Sequence, residues 1–589
     1  MAKWMLVRKG GDAKEIAEKY NIDPLLVRVL MNRGISGDVA VDGYLNGDYH
    51  WFHRPEEMKD MEKACVVLAE KIAAKSPIRI IGDYDIDGVC ATAILCKGLR
   101  CLGGNVDTQI PHRIKDGYGM NINMIEKAAA EGINTILTCD NGIAAKDAVV
   151  RAKELGLSVI ITDHHEVPFT EEGGVRKFLL PPADAVVDPK REDCNYPFPH
   201  ICGAFVAYKL VELLYKTMEK EALWQEYIDE MIQIAAFATV GDIMELKDEN
   251  RILVQEGLKR MRTTRCVGLK ALLCVLGLQN AEITAFHLGF LLGPCLNATG
   301  RIDSADRALD LLLAEKESDA MQLAGDLKAM NDSRKMITEQ GTAEAISRIE
   351  SGAYAEDKVL VVYLPDCHES VAGIIAGRLR EKYGKPTFVV TKGEEGLKGS
   401  GRSIEAYHMY EEMNKIAEVF TKFGGHAQAA GFSLREENLD KMRKMLNENC
   451  RLTPENMQEI LHIDAAVPLS YISPKLVNDL KLLEPCGNGN ERPVFAVKNL
   501  LLKSGKLLGA EGKVGKYRVT EEAGSSFELT LFQKNGEFRR FLEEKYGAET
   551  VAKLYGRGCE GVPVSVAYYP QWNEFQGKKS LQYVMVDYC

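Results

Sequence analysis

Three aspartates stand at every second position in the segment Gly82-Asp83-Tyr84-Asp85-Ile86-Asp87-Gly88, directly after an apolar stretch. In extended backbone, alternate residues share one face, so the three carboxylates are expected to lie together. Crowded like charges raise the pKa of at least one carboxyl unless cations neutralise them. The spacing therefore predicts either a metal or a strongly basic partner at this place. A solvated acidic turn is the simpler alternative, but it fits poorly beside an apolar strand and a glycine-started helix.

Two later apolar stretches end in the same chemistry, at Cys139-Asp140-Asn141-Gly142 and at Thr162-Asp163-His164-His165. Ligands of open parallel sheets gather beyond the carboxyl ends of the strands, so these residues should converge on the first cluster. A lone histidine is more often a core or surface residue than a ligand. Two adjacent histidines after an aspartate at a strand end favour ligation.

Mixed carboxylate and imidazole ligands favour Mn²⁺ or Mg²⁺ over structural zinc, which normally recruits thiolates. Two such divalent ions can activate an attacking hydroxide and stabilise the leaving oxygen in a displacement at phosphorus. The acidic constellation thus predicts phosphoester hydrolysis.

The elements that would position these side chains alternate from residue 77 onward. The predicted strands are Ile78–Ile81, Val106–Ile110, Asn134–Thr138 and Ser158–Thr162, and the predicted helices between them are Val89–Leu102, Asn121–Glu131 and Ala144–Leu155. Alternating strands and helices are typical of a parallel sheet covered on both faces. Residues 201–300 are predicted to be mostly helical.

The rest of the chain predicts an α/β protein with further domains. A long helix over Glu315–Glu350 leads to a second α/β unit with a strand at Lys358–Tyr363, a helix at Val371–Lys382 and a strand at Thr387–Thr391. Short strands with glycine-rich turns after about residue 460 predict a small β-barrel. The expected divisions are a helical segment 1–60, a catalytic domain 61–314, a connecting helix 315–355, a second domain 356–455 and a barrel 456–589.

Composition sets outer bounds on function. The 589 residues carry a net charge of −11, so a polyanion must bind in a local groove and not on a basic coat. None of the 15 cysteines forms a C-x-x-C pair, which gives no support to a zinc ribbon. The apolar runs are too short for a membrane span or a secretory signal, so we expect a cytoplasmic protein without membrane contact.

The three acidic motifs, in the order GDYDIDG, CDNG, TDHH, resemble those of the DHH phosphoesterase family and its RecJ single-strand-specific exonuclease branch. The likeness extends over roughly residues 60–589. It includes Pro111-His112-Arg113, Gly117-Tyr118-Gly119, Gly203-Ala204-Phe205, Val240-Gly241-Asp242-Ile243, Leu296-Asn297-Ala298-Thr299-Gly300-Arg301, Gly399-Ser400-Gly401-Arg402-Ser403, Gly424-Gly425-His426 and Glu484-Pro485-Cys486-Gly487. The last of these is similar to the linker into an OB-fold, and the two before it to the DHH-associated nucleic-acid-binding domain.

The resemblance implies roles for individual residues. Metal ligation falls on Asp83, Asp85, Asp87, Asp140, His164 and Asp242, and catalysis on Asp85, Asp87, His164 and His165. Asp163 is expected to orient the histidines. Contacts with nucleic acid fall on Arg113, Tyr118, Asn297, Arg301, Ser400, Arg402, Ser403, Gly424, Gly425 and His426.

Two positions depart from the branch. Cys295 stands after Gly293-Pro294 where the branch usually has an arginine, so one phosphate contact is lost or is supplied by another residue. The segment around His368 also differs, which leaves its role open.

In the barrel, a basic patch is predicted from Lys498, Lys503, Lys506, Lys513, Lys516 and Arg518, with Tyr568, Trp572 and Phe575 as stacking faces.

As the resemblance implies, the expected function is a 5′-to-3′ single-stranded-DNA exonuclease that releases 5′-mononucleotides in recombination and repair. One alternative is a phosphodiesterase of short oligonucleotides or cyclic dinucleotides, or a pyrophosphatase; the other is a non-catalytic DNA-binding scaffold of the same fold. The resemblance also implies single-strand-binding protein and a helicase as partners. Nothing in the sequence indicates obligate oligomerisation, so a monomer is expected.

Overall fold

The structure is a computed structural model that describes residues 2–113, 115–173, 175–302, 304–393, 396–509, 512–575 and 577–589. It divides into two compact units. The first consists of Met1–Asn46, Thr453–Cys486 and Asn490–Cys589, and the second of Gly47–Leu452 and Gly487–Gly489. In the described part of the chain, no helix combines the length and the apolar character that crossing a bilayer requires.

The first elements of the chain are one strand and three helices, namely β1 (Lys3–Leu6), α1 (Ala13–Tyr20), α2 (Pro24–Asn32) and α3 (Asp38–Asn46). The side chain of Asp12 caps α1 and that of Asp23 caps α2, each by accepting a backbone N–H of the first turn. The helices agree with the predicted helical segment. The strand was not predicted, because its parallel partner, Ile460–Ile463, lies far away in the sequence and leaves no local pattern.

A five-stranded parallel sheet forms the centre of the second unit. Its elements are α4 (Met61–Ala73), β2 (Pro77–Ile81), α5 (Ile86–Cys101), β3 (Asn105–Gln109), α6 (Ile122–Ala130), β4 (Thr135–Cys139), α7 (Lys146–Glu154), β5 (Ser158–Thr162), the hairpin β6 (Phe169–Glu172) and β7 (Val175–Phe178), and β8 (Ala185–Val187). The strand order is β3-β2-β4-β5-β8, and every neighbouring pair is parallel. The predicted parallel sheet is therefore confirmed, with β8 as an additional edge strand.

Helices follow the sheet, as the sequence predicts. They are α8 (Gly203–Thr217), α9 (Glu221–Gly241), α10 (Asp248–Met261), α11 (Val267–Val275), α12 (Ala285–His287), α13 (Gly293–Ile302), α14 (Asp306–Leu313) and the long α15 (Glu317–Arg348). A π-helical turn, Leu288–Leu292, joins α12 to α13. Helix α8 is buried, and its residues are apolar on nearly all sides. The buried Lys209 of this helix forms an ion pair with Glu249 at 2.9 Å.

A second α/β layer closes this unit. It contains β9 (Leu360–Tyr363), α16 (Ala372–Tyr383), β10 (Thr387–Gly393), β11 (Gly396–Arg402), α17 (Met409–Asn414), β12 (Phe420–Gly425), β13 (Ala429–Leu434) and α18 (Leu439–Asn449). The sheet order is β12-β13-β11-β10-β9, in which only the β9–β10 pair is parallel. The antiparallel pairing of β11 with β13 places Ser400 opposite Gly431, so the glycine-containing segments of both strands lie side by side.

The other unit is completed by a closed β-barrel. Its elements are β14 (Ile460–Ile463), β15 (Ala465–Ala466), α19 (Pro474–Leu480), β16 (Phe495–Leu508), β17 (Val514–Thr520), β18 (Ser526–Phe532), α20 (Asn535–Tyr546), α21 (Ala548–Tyr555), β19 (Val562–Phe575) and β20 (Lys578–Tyr588). The order is β15-β16-β17-β18-β20-β19, and β16 also pairs with β19, which closes the barrel. The predicted barrel is confirmed.

The barrel corrects one predicted stacking face. Tyr568 is fully buried, and its hydroxyl donates to the carbonyl of Val467, so it belongs to the core and offers no face to a base. The register of β19 shifts between Ala567 and Tyr568, so the strict alternation is interrupted and both residues are buried. Trp572 is partly exposed and donates its indole N–H to Asn478. The side chain of Phe575 lies outside the described residues.

Three members of the predicted basic patch share one face of the barrel sheet. Lys506 stands directly opposite Lys516, and Arg518 follows Lys516 at the next position on the same face. Lys516 forms an ion pair with Glu528 at 2.8 Å, which partly offsets the positive charge. The patch stays a prediction as a binding surface.

Candidate active site

The aspartate segment lies where β2 ends and α5 begins. Asp85 caps the helix, because one of its oxygens accepts the N–H of Asp87 at 2.9 Å and of Gly88 at 3.2 Å. Gly88 allows the chain to fold this tightly, since a Cβ there would lie 2.5 Å from the backbone of Asp83. The cap holds the carboxylates of Asp83, Asp85 and Asp87 at the carboxyl end of the strand.

Asp140 follows β4 in the left-handed region, with φ of 58°. A non-glycine residue in this region needs support from its surroundings. Its carbonyl accepts the hydroxyl of Tyr118 at 2.9 Å, and its N–H donates to the carbonyl of Thr162 at 3.1 Å. The neighbouring Asn141 donates to the carbonyl of Ile81 at 3.0 Å. These bonds turn the Asp140 carboxylate toward the ends of the adjoining strands.

The two histidines follow β5 and are fixed by Asp163. One carboxylate oxygen of Asp163 accepts the N–H of His164 at 2.8 Å and that of His165 at 3.2 Å, while the other accepts the N–H of Ile143 at 2.9 Å. His164 is buried, and its Nε2 lies 3.0 Å from an oxygen of Asp140. The imidazole therefore points into the acidic cluster.

Two helices complete the cluster from the opposite side. The carboxylate of Asp87 accepts the N–H groups of Gly203 at 2.6 Å and Ala204 at 2.8 Å, both in the first turn of α8. Asp242 directly follows α9, and its Oδ2 lies 4.0 Å from His164 Nε2. The same ring nitrogen lies 3.4 Å from Asp87 Oδ2. Side chains from four elements thus surround one position.

The six predicted metal ligands form two groups that share no residue. Asp83, Asp85 and Asp140 form one, and Asp87, His164 and Asp242 form the other; within each group the ligand atoms lie within 4.8 Å of one another. Asp140 also groups with His164 and His165, which links the two sets. Asp83 Oδ1 is buried without a hydrogen-bond partner among the described groups. The donor chemistry and this orphaned oxygen fit two adjacent divalent ions.

Electrostatics favour cations at this place. Burial, and then the neighbouring Asp85, raise the pKa of Asp83 to about 8. Burial, and then Asp87, raise the pKa values of Asp140 and Asp242 well above the usual range. Burial lowers the pKa of His164, which keeps the ring neutral as a metal ligand must be. Two divalent ions would relieve the repulsion that these shifts report.

His165 differs from His164 because its ring is hydrogen-bonded to the carboxylate of Asp163. Burial alone would lower its pKa, but the hydrogen bond to Asp163 and the charge of that carboxylate outweigh burial and raise the pKa to about 9. Its Nδ1 lies 2.8 Å from Asp163 and 3.8 Å from Asp140, and its side chain is 42% exposed. A cationic, accessible imidazole thus stands at the rim of the acidic cluster.

A small basic cavity lies between the parallel sheet and the second α/β layer. Its volume is about 180 Å³, and it is lined by Arg113, Glu369, Ser370, Lys398, Gly399, Ser400 and Phe432. Arg301 donates to the carbonyl of Ser370 at 2.9 Å, and the guanidinium of Arg402 lies over Gly373, where a Cβ would meet it at 2.9 Å. Arg113 stacks over the ring of Tyr84 at 5.1 Å. The predicted phosphate-binding residues Arg113 and Ser400 therefore line one cavity, with arginines close by.

Other residues predicted to contact nucleic acid have different surroundings. Asn297 accepts the N–H of Ile86 at 2.9 Å and so supports the start of α5. Ser403 is buried and donates its hydroxyl to the carbonyl of Tyr407. Their contacts with DNA stay predictions, and the structure gives both side chains an internal partner.

The glycine pair and His426 lie at the exposed turn between β12 and β13. Gly424 has open space around it, and His426 closes the turn by donating its N–H to the carbonyl of Ala429 at 2.8 Å. At Gly425 a Cβ would lie 2.4 Å from that same carbonyl oxygen, so only glycine fits. The turn is exposed, as binding to a phosphate would need, and its role stays a prediction.

Two features of the site were not found from the sequence. The N–H donors of Gly203 and Ala204 leave no signature in side chains. Asp188 follows β8 and is buried, with its pKa raised to about 8 by burial and then by Asp163. The pattern that could have revealed it is the same as at the other strands, namely a short apolar run that ends in an aspartate.

His368, whose role the sequence left open, caps a short turn by accepting the N–H of Ser370.

Comparisons with known proteins identify the class. Three family models match successive parts of the chain, described as the DHH family N-terminal domain over residues 77–239, the DHHA1 domain over 356–452 and the RecJ OB domain over 463–587. Together with the paired carboxylate and histidine groups, they define a phosphoesterase of the DHH class, a metal-dependent hydrolase.

Full-length relatives narrow the class. The single-stranded-DNA-specific exonuclease RecJ of Salmonella typhimurium is 31% identical, covering 98% of both chains, and that of Bacillus subtilis is 34% identical over 90% of this chain and 66% of its own length. The chain belongs to the RecJ family. A crystal structure of RecJ with Mn²⁺ from Thermus thermophilus superposes with a TM-score of 0.80 at 25% identity, covering 100% of this chain and 79% of that one.

Proposed function

We propose that this chain is a single-stranded-DNA-specific exonuclease that hydrolyses phosphodiester bonds with two divalent ions, Mn²⁺ or Mg²⁺. The observation that carries the proposal is the pair of ligand groups at the carboxyl ends of β2, β4 and β5, in a chain whose near-full-length relatives are named for this activity. We further propose 5′-to-3′ polarity, release of 5′-mononucleotides and a role in recombination and repair.

The two ligand groups support one division of the ions between the residues. Asp83, Asp85 and Asp140 would hold one ion, and Asp87, His164 and Asp242 the other. When bound, such a pair lowers the pKa of water and neutralises charge that develops on phosphate oxygens. Asp87 is kept in place by the N–H groups of α8, so its orientation does not depend on the ions.

The remaining site residues would act on the substrate. His165 is cationic at neutral pH and exposed at the rim, so it can donate a hydrogen bond to the scissile phosphate or a proton to the leaving oxygen. Asp163 holds it there. Arg113, Ser400 and the nearby arginines Arg301 and Arg402 would bind the phosphates of the strand, since guanidinium groups match phosphate geometry.

The setting of the enzyme forms part of the proposal. We propose that it works in the cytoplasm as a monomer, with single-strand-binding protein and a helicase supplying its substrate. Gel filtration of the purified chain tests the oligomeric state directly, because a monomer should elute with a mass of 65.4 kDa.

One assay tests the activity. Purified protein with Mn²⁺ receives 5′-labelled single-stranded DNA, duplex DNA, short oligonucleotides and pyrophosphate in parallel. Degradation confined to the single strand, ending in mononucleotides, is the expected result. Turnover of only the short oligonucleotides or pyrophosphate would replace the proposal with a small-substrate phosphodiesterase. Tight binding without turnover would indicate a non-catalytic scaffold.

A matched pair of variants ties the activity to the site. Asp85→Ala removes both the proposed ligand and the cap of α5, whereas Asp85→Asn retains a capping oxygen and removes only the charge. Both should abolish cleavage, and the asparagine variant should keep the circular dichroism spectrum of the parent and its cooperative unfolding. Full activity in either variant would remove Asp85 from the site.

A further inference from the structure

Arg334, on the long helix α15, carries a charge that no described carboxylate pairs with. Its Nε and Nη2 both donate to the side-chain oxygen of Asn331, at 3.2 Å and 2.8 Å. That oxygen belongs to a neutral amide, so the bonds fix the direction of the guanidinium without neutralising it. In the described part of the chain, Nη1 has no hydrogen-bond partner and remains able to donate.

The support behind Arg334 is rigid. Asn331 is 2% exposed, and its amide N–H lies 3.5 Å from the sulfur of Cys295 on α13. Cys295 is itself buried and donates to the carbonyl of Leu291 at 3.3 Å, one turn earlier. Two packed helices therefore hold the guanidinium, which is the preorganisation that a binding residue needs.

Arg334 lies on the helix that packs against α13, which carries Arg301 six residues after Cys295. The pKa of Arg301 is lowered to about 10, first by burial and then by the charges of Arg113, Arg334 and Arg402. None of these four guanidinium groups forms an ion pair with a described carboxylate. Mutual repulsion in a partly buried place destabilises the free protein, and an anion that binds among the arginines would relieve it.

We propose that Arg334 is a ligand for a backbone phosphate of the single strand, next to Arg301. The inference rests on the proposed function, because it takes single-stranded DNA as the anion. It also explains how the chain accommodates Cys295: the buried thiol at that position supports Asn331 and Arg334, and the positive charge is supplied by α15.

The test measures DNA affinity as a function of salt. Each phosphate that a protein neutralises on a single strand contributes about −0.7 to the slope of log K against log salt concentration. The full-length Asp85→Asn protein, which should bind without cutting, is titrated with fluorescent oligo-dT in Mn²⁺ at several salt concentrations. Adding Arg334→Gln should weaken binding about tenfold at low salt and reduce the slope by about 0.7.

Two further variants separate charge from structure. Arg334→Lys keeps the charge and should restore the slope while regaining only part of the affinity, because lysine lacks the planar fork. Arg348→Gln removes the same charge about 21 Å further along α15, where Arg348 pairs with Glu344 at 2.7 Å, and should leave the slope unchanged.

The outcomes are distinct. If the parent binds oligo-dT with a clear salt slope and Arg334→Gln leaves that slope intact, the inference fails while the proposed function stands. A lower melting temperature with an unchanged slope would show a purely structural role, which also overturns it. If the parent shows no salt-dependent binding, the proposed function fails and this inference fails with it.

Discussion

Asp163 Oδ1 lies 2.8 Å from Nδ1 of His165 and also accepts the backbone N–H of that residue. One buried carboxylate therefore fixes both the position and the charge of the imidazole. The bond explains why two adjacent histidines behave differently, since His164 has no comparable carboxylate behind its ring: its Nδ1 is buried without a described partner. One ring is neutral and points into the carboxylate cluster, and the other is cationic and lies at its exposed rim.

Replacing this carboxylate should change the titration of His165. In Asp163→Asn, we expect the pKa of His165 to fall from about 9 toward its ordinary value of about 6.5, and activity to fall about 10- to 100-fold. The folded-state pKa is raised, so the stabilisation from this pair is complete below about pH 6.5 and is lost as pH rises through about 9. Histidine NMR of the metal-free protein, with and without the substitution, measures the shift. An unchanged titration would disprove the pairing.

The carboxylate cluster should make metal binding stabilise the protein in a pH-dependent way. Burial, and then the charge of Asp85, raise the pKa of Asp83 to about 8, so ionising this carboxyl increasingly destabilises the metal-free fold as pH rises from about 4 to about 8. Divalent ions remove this penalty and add about 2.7 kcal/mol at a concentration 100 times the dissociation constant. The rise in melting temperature on adding Mn²⁺ should thus be larger at pH 8 than at pH 5. An equal rise in melting temperature at pH 5 and at pH 8 would contradict this electrostatic account of the cluster.

Position 203, at the start of α8, should be intolerant of any side chain beyond that of glycine. In Gly203→Ala the new Cβ would lie 2.7 Å from the Cβ of Asp140 and 3.0 Å from Oδ2 of Asp87, so the two aspartates must move. We expect activity to fall by at least tenfold and stability by about 1–3 kcal/mol. Gly325→Ala in α15 is the control, because its Cβ meets nothing within 4 Å and alanine favours a helix. Denaturant unfolding and nuclease rates measure both variants. Equal behaviour of the two would refute the close packing at Gly203.

The sequence predicted the part of the site that depends on local pattern. Asp83, Asp140 and His164 each follow a short apolar strand, and parallel strands bring their carboxyl ends to one edge whatever the loops do. The order of the strands did not have to be known. That is why these ligands, supplied by separate strands, could be expected to meet.

The rest depends on tertiary contacts that leave no local pattern. The donors to Asp87 are backbone groups of Gly203 and Ala204, and the sequence carries no sign of where their N–H bonds point. Asn297 was assigned to DNA by its motif, but the motif does not show that its oxygen accepts the N–H of Ile86. Tyr568 was placed on the surface because an aromatic ring in a strand serves a core or a binding face equally well.

Crystals of the protein soaked in Mn²⁺ and measured at the manganese absorption edge test most directly whether two ions bind where the carboxylates and His164 gather. Two anomalous difference peaks are expected, one against Asp83, Asp85 and Asp140 and one against Asp87, His164 and Asp242. Peaks only at other positions, or none at saturating Mn²⁺, would show that these side chains do not form a two-metal centre.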